Sequence, residues 1–358
     1  MLLGRLPGLA VNRAAVALLG AVALLGGGAL TSRAAWNAVD MPTMSLIFGL
    51  MLVSAQLRLG GFYTLCARRI AAVRVGPRAL LLLVMVAGAG LSALLVNDIV
   101  CLAMTPVLAE GCLKRGLNPV PFLLGLACAA NIGSAATLIG NPQNMLIGQV
   151  GGLPFGAFAL DCLPPVLAGL VAAWGVIALL SRGDWTLTRS VPPVPTVTFR
   201  AWPSVKGCLL LGLALFGFIA LPLPREVAAL CAGGFVLLSR RTESRVVFGL
   251  VDWQLLLLFL GLFVVNHAVA EAGLLERMYA LVRASGVDLA SPAWLFAVTA
   301  VLSNIISNVP AVMVTRPDFS VNATTVEINL DTKELTAAGG VSAELTPAAL
   351  SAMKKEKK

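Results

Sequence analysis

Charge is scarce in this sequence: Asp, Glu, Lys and Arg together make up 12% of its 358 residues. A water-facing domain uses roughly 25%. That deficit excludes an ordinary soluble fold. Seven cysteines (Cys66, Cys101, Cys112, Cys128, Cys162, Cys208 and Cys231) never stand in a CxxC spacing and lie mostly in apolar runs, so they read as small hydrophobes. HExxH, Gly-x-Ser-x-Gly and any paired metal-ligand set are absent, and Ser134 with the single histidine, His267, is a weak basis for an intramembrane serine protease. The arginine clusters carry no interleaved aromatics, which removes nucleic-acid binding. The sequence therefore describes neither an enzyme nor a protein with a cofactor.

What is abundant is apolar: 58% of residues are hydrophobic and the mean hydropathy is +0.91. The expectation is an all-α polytopic membrane protein. The net charge of +9 fits arginine-rich cytoplasmic loops rather than an anionic macromolecular partner. Arg5 and Arg13 ahead of the apolar run Ala14–Leu30 imitate a secretory signal, but the many later spans make this run a first membrane helix.

Apolar stretches fit to cross or enter a hydrocarbon core of about 30 Å fall at 14–30, 43–57, 161–181, 206–221, 225–239 and 252–270. Three more, 79–112, 119–150 and 291–314, are interrupted midway by Asn, Asp, Ser, Gly or Pro. Basic clusters lie at 58–78, Lys114/Arg115, 182–206 and Arg240/Arg241/Arg245, all cytoplasmic by the positive-inside rule. Because 79–112 starts and ends beside such clusters, it reads as a re-entrant hairpin with Asn97-Asp98 near its tip. The same bookkeeping makes 291–314 enter from the opposite side, an inverted topology. The expected organisation is a first repeat over 1–181, a cytoplasmic linker over 182–205, an incomplete second repeat over 206–315 and a polar non-membrane tail over 316–358.

An internal repeat supports this layout without using charge. Asp40, Gly49, Leu50 and Gly61 match Asp252, Gly261, Leu262 and Gly273 at an offset of 212, and Leu91-Ser92 with Asn97 match Leu302-Ser303 with Asn308 at 211. Inverted repeats with interrupted helices at corresponding positions point to a secondary transporter whose site lies near the membrane midplane. Main chain freed from helical bonding is tolerated there only where protein or a wet cavity satisfies it.

The segment 131–144 is too polar and too rich in Gly and Pro for one continuous helix. Gly133 and Gly140 allow unusual dihedrals and close approach, and Pro142 suits the first turn of a following half-helix. Asn131, Ser134, Thr137, Asn141 and Asn144 offer neutral ligands. Around the first hairpin Ser92, Asn97 and Asp98 are the polar groups, and a carboxylate at membrane depth faces a cavity, a cation or a proton path. The second hairpin offers Ser303, Asn304, Ser307, Asn308 and Pro310. His267, four residues before Glu271, reads as a packing or interface residue.

Ser92-Ala-Leu-Leu-Val-Asn97, Asn131-Ile-Gly-Ser-Ala-Ala-Thr-Leu-Ile-Gly-Asn-Pro-Gln-Asn144 and Leu302-Ser-Asn-Ile-Ile-Ser-Asn-Val-Pro-Ala311 resemble the ion transporter superfamily. That group holds citrate-transporter-like anion permeases, divalent anion:sodium symporters, arsenite permeases and related sodium/proton antiporters. The resemblance spans roughly 14–314 and implies two inverted repeats, each with a re-entrant hairpin and a broken helix, in a transport domain that moves against a scaffold, often as a homodimer. It implies a small anion as substrate and Na+ or H+ as coupling ion. By motif, Ser92, Asn97 and Gly133 would help bind a cation, and Asn97, Thr137, Ser307 and Asn308 would approach the anion. Asn141 and Asn144 join the expected substrate set, and Asp98, Asn131, Ser303 and Asn304 the expected cation or proton set.

Three departures stand out. Family members read Gly-Asp-Pro-Pro-Asn where this sequence has Gly140-Asn-Pro-Gln-Asn144, and the Ser-Asn-Thr signature of dicarboxylate symporters is missing. The repeat offset places a second broken helix near 340–358, where the sequence is polar and ends in Lys354-Lys-Glu-Lys-Lys358. The N-terminus starts one helix late relative to the family. The expected function is a multi-pass carrier of an inorganic oxyanion or carboxylate in the cell inner membrane, coupled to Na+ or H+ by alternating access. The alternatives are arsenite efflux or Na+/H+ antiport, and a truncated, non-transporting membrane remnant.

Overall fold

A computed structural model describes residues 12–186, 198–239, 242–274, 277 and 291–306, with three short segments at 326–329, 334–337 and 341–344. The order is α1 (Arg13–Gly26), α2 (Ser32–Asn37), α3 (Met41–Leu59), α4 (Phe62–Ala72), α5 (Pro77–Leu94), α6 (Asn97–Lys114), α7 (Pro119–Ser134), α8 (Pro142–Val150), α9 (Phe155–Leu180), α10 (Ala201–Ala220), α11 (Arg225–Leu237), α12 (Ser244–Phe248), α13 (Trp253–Glu271) and α14 (Pro292–Ile306). Five of these, α3, α5, α9, α10 and α13, are long and apolar enough to cross a membrane. The membrane part is all-α. In the tail, β1 (Val326–Asn329), β2 (Glu334–Ala337) and β3 (Val341–Glu344) add an antiparallel sheet of order β1-β2-β3 that composition alone does not announce.

Local chemistry sets most boundaries. Asn12, Thr31 and Asp252 accept from the backbone N–H three residues on (Ala15, Ala34 and Leu255) at 2.9, 3.1 and 3.1 Å. Such caps contribute about 1 kcal/mol each. The apolar run expected over 14–30 stops being helical at Gly26, before Gly27 and Gly28, the latter at φ +72°. The span expected over 161–181 begins instead at Phe155, giving 26 residues that contain Pro164 and Pro165. The arginine-rich stretch 58–78 holds a helix the apolar pattern does not signal, α4, which buries Tyr63, Thr64, Ala67 and Ala71 on one side and leaves Arg68 and Arg69 exposed.

The element boundaries repeat. α1 and α11 begin 212 residues apart, as do α2 and α12, and α3 and α13 are both 19 residues long at that same interval. Gly61 and Gly273, also 212 apart, both adopt positive φ, +71° and +63°.

The chain divides into two compact units, Met1–Asp40 with Leu260–Lys358, and Met41–Phe259. In the first, α1 lies parallel to the later part of α13: a Cβ on Gly261 would meet the Ala17 carbonyl carbon at 2.6 Å, and one on Gly20 would meet Val265 at 3.4 Å. In the second, α3 packs against α11 and α10, while α7 packs between the arms α5 and α6 and against α9. Register fixes direction here too. Gly49 meets Ala229 and Gly233 meets Leu52, so α11 runs parallel to α3, whereas Gly60 meets Ser204 and Gly207 meets Leu57, so α10 runs antiparallel.

Candidate functional site

The hairpin α5–α6 turns at Leu95, which is extended, and Val96, and α6 restarts at Asn97. Asn97-Asp98 therefore occupies the tip, as the sequence pattern requires. Each arm has 18 residues, about 27 Å of helix, close to the thickness of a hydrocarbon core. α7 ends at Ser134, and after a seven-residue interruption α8 starts at Pro142 in its first turn. The helix is broken where Gly, Asn and Pro cluster.

Close approach joins the two interruptions. A Cβ on Gly133 would lie 2.3 Å from Ala89 Cα, one on Gly125 2.5 Å from Leu81 Cδ1, and one on Gly88 2.9 Å from Leu126 Cδ1. At Gly133 α7 touches the main chain of α5, while Gly125 and Gly88 make room for a leucine side chain of the facing helix, a membrane packing mode that side-chain bulk would prevent. Gly140 likewise sits against Ser134, where a Cβ would stand 2.2 Å from its carbonyl oxygen. Neither Gly133 nor Gly140 has a positive φ. Of the two uses expected for these glycines, the structure employs close approach and not a positive φ.

Hydrogen bonds then tie the hairpin tip to the break. The Asn97 backbone N–H donates to Gly140 O at 3.3 Å, and its side-chain amide donates to Asn131 Oδ1 at 3.3 Å. Thr137 Oγ donates to Ala93 O at the end of α5 and accepts from Ile139 N at 3.3 Å. Asn141 caps α8, accepting from Asn144 N at 2.8 Å while donating to Ser134 Oγ at 3.1 Å. Ser134 Oγ in turn donates to Asn131 O at 2.8 Å. The Asn144 amide reaches the carbonyls of Ser134, Ala135 and Thr137 at 3.3, 3.4 and 2.8 Å. Main chain released by the break is thus satisfied from within, as burial away from water demands.

This arrangement sorts the expected ligands. Asn97, Asn131, Ser134, Thr137, Asn141 and Asn144 form one connected network; Thr137, Asn141 and Asn144 use their side chains on the break itself. Asn97 Oδ1 and the Asn131 amide N–H groups make no further hydrogen bond among the described residues, and Asp98 is exposed. Ser92, 0% exposed, has a hydroxyl with no hydrogen-bond partner among the described residues. Two helix C-termini (α5, α7) and two N-termini (α6, α8) converge here, and such ends carry about half a unit charge, suited to a cation and an anion respectively. Ser303, in α14, donates to Ala300 O at 3.0 Å within its own helix. Asn304 lies in α14 with its side chain outside the described residues, and Ser307, Asn308 and Pro310 lie outside them altogether. His267 Nε2 sits 3.4 Å from Glu271 Oε1, one turn apart on α13.

One set of residues near the site has no local sequence signal. Arg225 Nη1 donates to Gly148 O at 3.1 Å, its other arm reaches Leu153 O, and Gln149 donates to Glu226 Oε2 at 2.8 Å. The start of α11 thereby holds the end of α8 across more than 70 positions of sequence. The recurrence of an arginine at Arg13 and Arg225, each opening a helix of the 212-residue repeat, is the one available hint.

The sequence is similar to those of known membrane transporters. The chain is 31% identical over 324 residues to an uncharacterized transporter of Mycobacterium tuberculosis, covering 86% of this chain and 75% of that one. It is 31% identical over 280 residues to the inner membrane protein YbiR of Escherichia coli, covering 76% and 70% respectively. To the silicon efflux transporter of Oryza sativa it is 40% identical over 164 residues, 46% of this chain and 34% of the relative. A solved structure, the YdaH transporter of Alcanivorax borkumensis, described as having an unusual topology, aligns with 84% of this chain and 75% of its own at a TM-score of 0.48 and 19% identity. The family model for citrate transporters (CitMHS) matches residues 2–331. The chain is therefore a multi-pass membrane protein of a transporter family, not an enzyme, and it belongs to the citrate transporter family.

Proposed function

We propose that this protein is a secondary carrier that moves a small anion, an inorganic oxyanion or a carboxylate, across the cell inner membrane by alternating access. The observation that carries this reading is the junction of Asn97 with Gly140 and Asn131, where a hairpin tip and a broken helix meet as one polar unit. The partial charges of the helix ends that converge at such a junction suit an anion and a coupling cation together. Asn97 and Asn131 approach the solute; Thr137, Asn141 and Asn144 hold the break; Ser92, Asp98 and Gly133 serve the coupling Na+ or H+. Ser303, Asn304, Ser307 and Asn308 would contribute the equivalent groups of the second half.

The 212-residue recurrence of helix starts supports two repeats, 1–181 and 206–315 joined by a cytoplasmic linker, and the basic clusters support their inversion. By the positive-inside rule α3 ends inside, while α13 starts inside. The inner-membrane assignment draws on the Escherichia coli relative, and a homodimer on the family resemblance.

Uptake of labelled citrate, arsenate, phosphate and sulfate into proteoliposomes, with Na+ and pH gradients imposed separately, tests the proposal. Saturable uptake of one anion driven by one gradient, lost in Asn97→Ala, is the expected result. A second reading, efflux of a neutral oxyacid, is favoured by the stretch shared with the silicon efflux transporter and by a network made of amides and hydroxyls. It predicts flux of arsenious or silicic acid instead. Proton exchange requires Asp98 to change protonation, so Asp98→Asn would flatten the pH dependence of flux. If no solute moves under any gradient, the chain acts only through assembly with a partner.

A further inference from the structure

A cavity of about 720 Å³ opens at the end of the bundle where α3 and α11 finish and α10 begins. These three ends coincide because α11 runs parallel and α10 antiparallel to α3, as the contacts of Gly49, Gly233, Gly60 and Gly207 require. Gln56, Arg200, Trp202, Lys206, Leu238 and Thr242 are among the residues lining it, and among the described residues no carboxylate is. In a chain this poor in charge, two cations facing one cavity with no counter-ion among the described residues need a physical reason.

Lys206 is partly engaged within the fold. Its ammonium donates to Val236 O at 3.2 Å and Leu238 O at 2.9 Å, closing the end of α11, which leaves one of its three protons. Arg200 is not engaged in this way. Its backbone N–H holds Gly60 O at 2.9 Å, but its guanidinium makes no hydrogen bond or ion pair among the described residues. The residue also precedes the first turn of α10, whose N-terminal dipole adds a positive field over the same space. Gln56, 4% exposed, is held by Pro203 O at 3.1 Å and forms the polar floor.

The mouth is apolar. Trp202 is 65% exposed and Leu238 72% exposed, beside the cations. A soluble anion gains nothing from that surface, whereas a molecule with a charged head and a hydrocarbon body uses both. Since α10 is long and apolar enough to span, its first residues lie at the membrane–water interface, where Trp side chains and basic groups meet lipid head groups. Arg58, in the last turn of α3, places this end with the arginine-rich, cytoplasmic face.

We infer that the cavity binds the phosphate head group of an anionic phospholipid of the cytoplasmic leaflet, with Arg200 and Lys206 on the phosphate and Trp202 and Leu238 against the glycerol and acyl chains. This site is independent of the solute carried and of the junction around Asn97.

Native mass spectrometry of the delipidated full chain, titrated with equal amounts of phosphatidylglycerol and phosphatidylcholine, tests it. Phosphatidylglycerol is expected to be preferred by about fivefold, the effect of the roughly 1 kcal/mol that one free basic residue, Arg200, contributes near a membrane surface. Arg200→Gln removes most of that preference and Arg200→Lys restores it, with melting temperatures unchanged because the guanidinium carries no internal bond. Arg74→Gln, an exposed arginine away from the cavity, leaves the preference intact. Retained preference in Arg200→Gln, or an equal loss in Arg74→Gln, overturns the inference in favour of diffuse surface charge. Displacement of the lipid by excess inorganic phosphate or glycerol 1-phosphate overturns it in favour of a soluble phosphate site.

Discussion

Gly49 on α3 lies against the main chain of Ala229 on α11, so closely that a Cβ would stand 2.5 Å from the Ala229 carbonyl. Gly261 on α13 stands in the same relation to Ala17 on α1, meeting its carbonyl carbon at 2.6 Å and Leu18 N at 2.8 Å, as Gly49 meets Leu230 N at 2.8 Å. Both glycines and both alanines are 212 positions apart. The third helix of each series thus packs on the first helix of the other, within separate units of the chain. A constant offset in sequence becomes one contact built twice.

Replacing Gly49 by Ala should lower the melting temperature, because the new methyl has no space and overpacking costs about 1–3 kcal/mol. Gly261→Ala should do the same. Gly234→Ala, on α11 where a Cβ meets nothing within 4 Å, should be neutral or slightly stabilising, since alanine is the better helix former. Thermal unfolding in detergent, followed by cysteine accessibility, separates the three. Equal melting temperatures would refute the packing assignment.

Gly133→Ala should disable transport and loosen the hairpin, because Ala89 Cα lies 2.3 Å from the added carbon and the backbone must move. Gly90→Ala, one residue away from that contact and with open space around it, is the matched control. The measurement is initial uptake rate beside thermal stability. A loss of rate of at least tenfold is expected for Gly133→Ala alone.

Asn144→Leu should destabilise the break, leaving the carbonyls of Ser134, Ala135 and Thr137 without their shared donor. Each buried carbonyl left unpaired costs about 1–3 kcal/mol. Asn141→Ala removes a cap, about 1 kcal/mol, whereas Asn141→Asp keeps it. Protease sensitivity around 135–141 reads both changes, and resistance equal to the parent would show that these side chains face solute instead.

Ser92→Ala should leave the cation-free protein as stable as before or more so, since its hydroxyl is buried without a partner among the described residues. If that hydroxyl completes a cation site, the same change weakens the thermal shift on adding Na+. A parent protein with no Na+ shift and an unchanged variant would remove Ser92 from the coupling site.

Membrane class, helix count in outline, the tip at Asn97, the break between Ser134 and Pro142 and the repeat at 212 were all legible in the sequence. They rest on local rules: apolar length, caps, Gly and Pro at interruptions, and recurrence of residue types. Helix α4 was not legible, because its buried face of Tyr63, Thr64, Ala67 and Ala71 is diluted by arginines that point outward. Only the tertiary structure decided that Thr137, Asn141 and Asn144 hold main chain together, that Arg225 clasps the end of α8, and that α3 pairs with α11. The pairing of α3 with α11 rests on glycines that admit close approach, and each polar contact on which group its side chain meets. A linear pattern records which residues are small or polar, but not the neighbours against which that size and polarity are used.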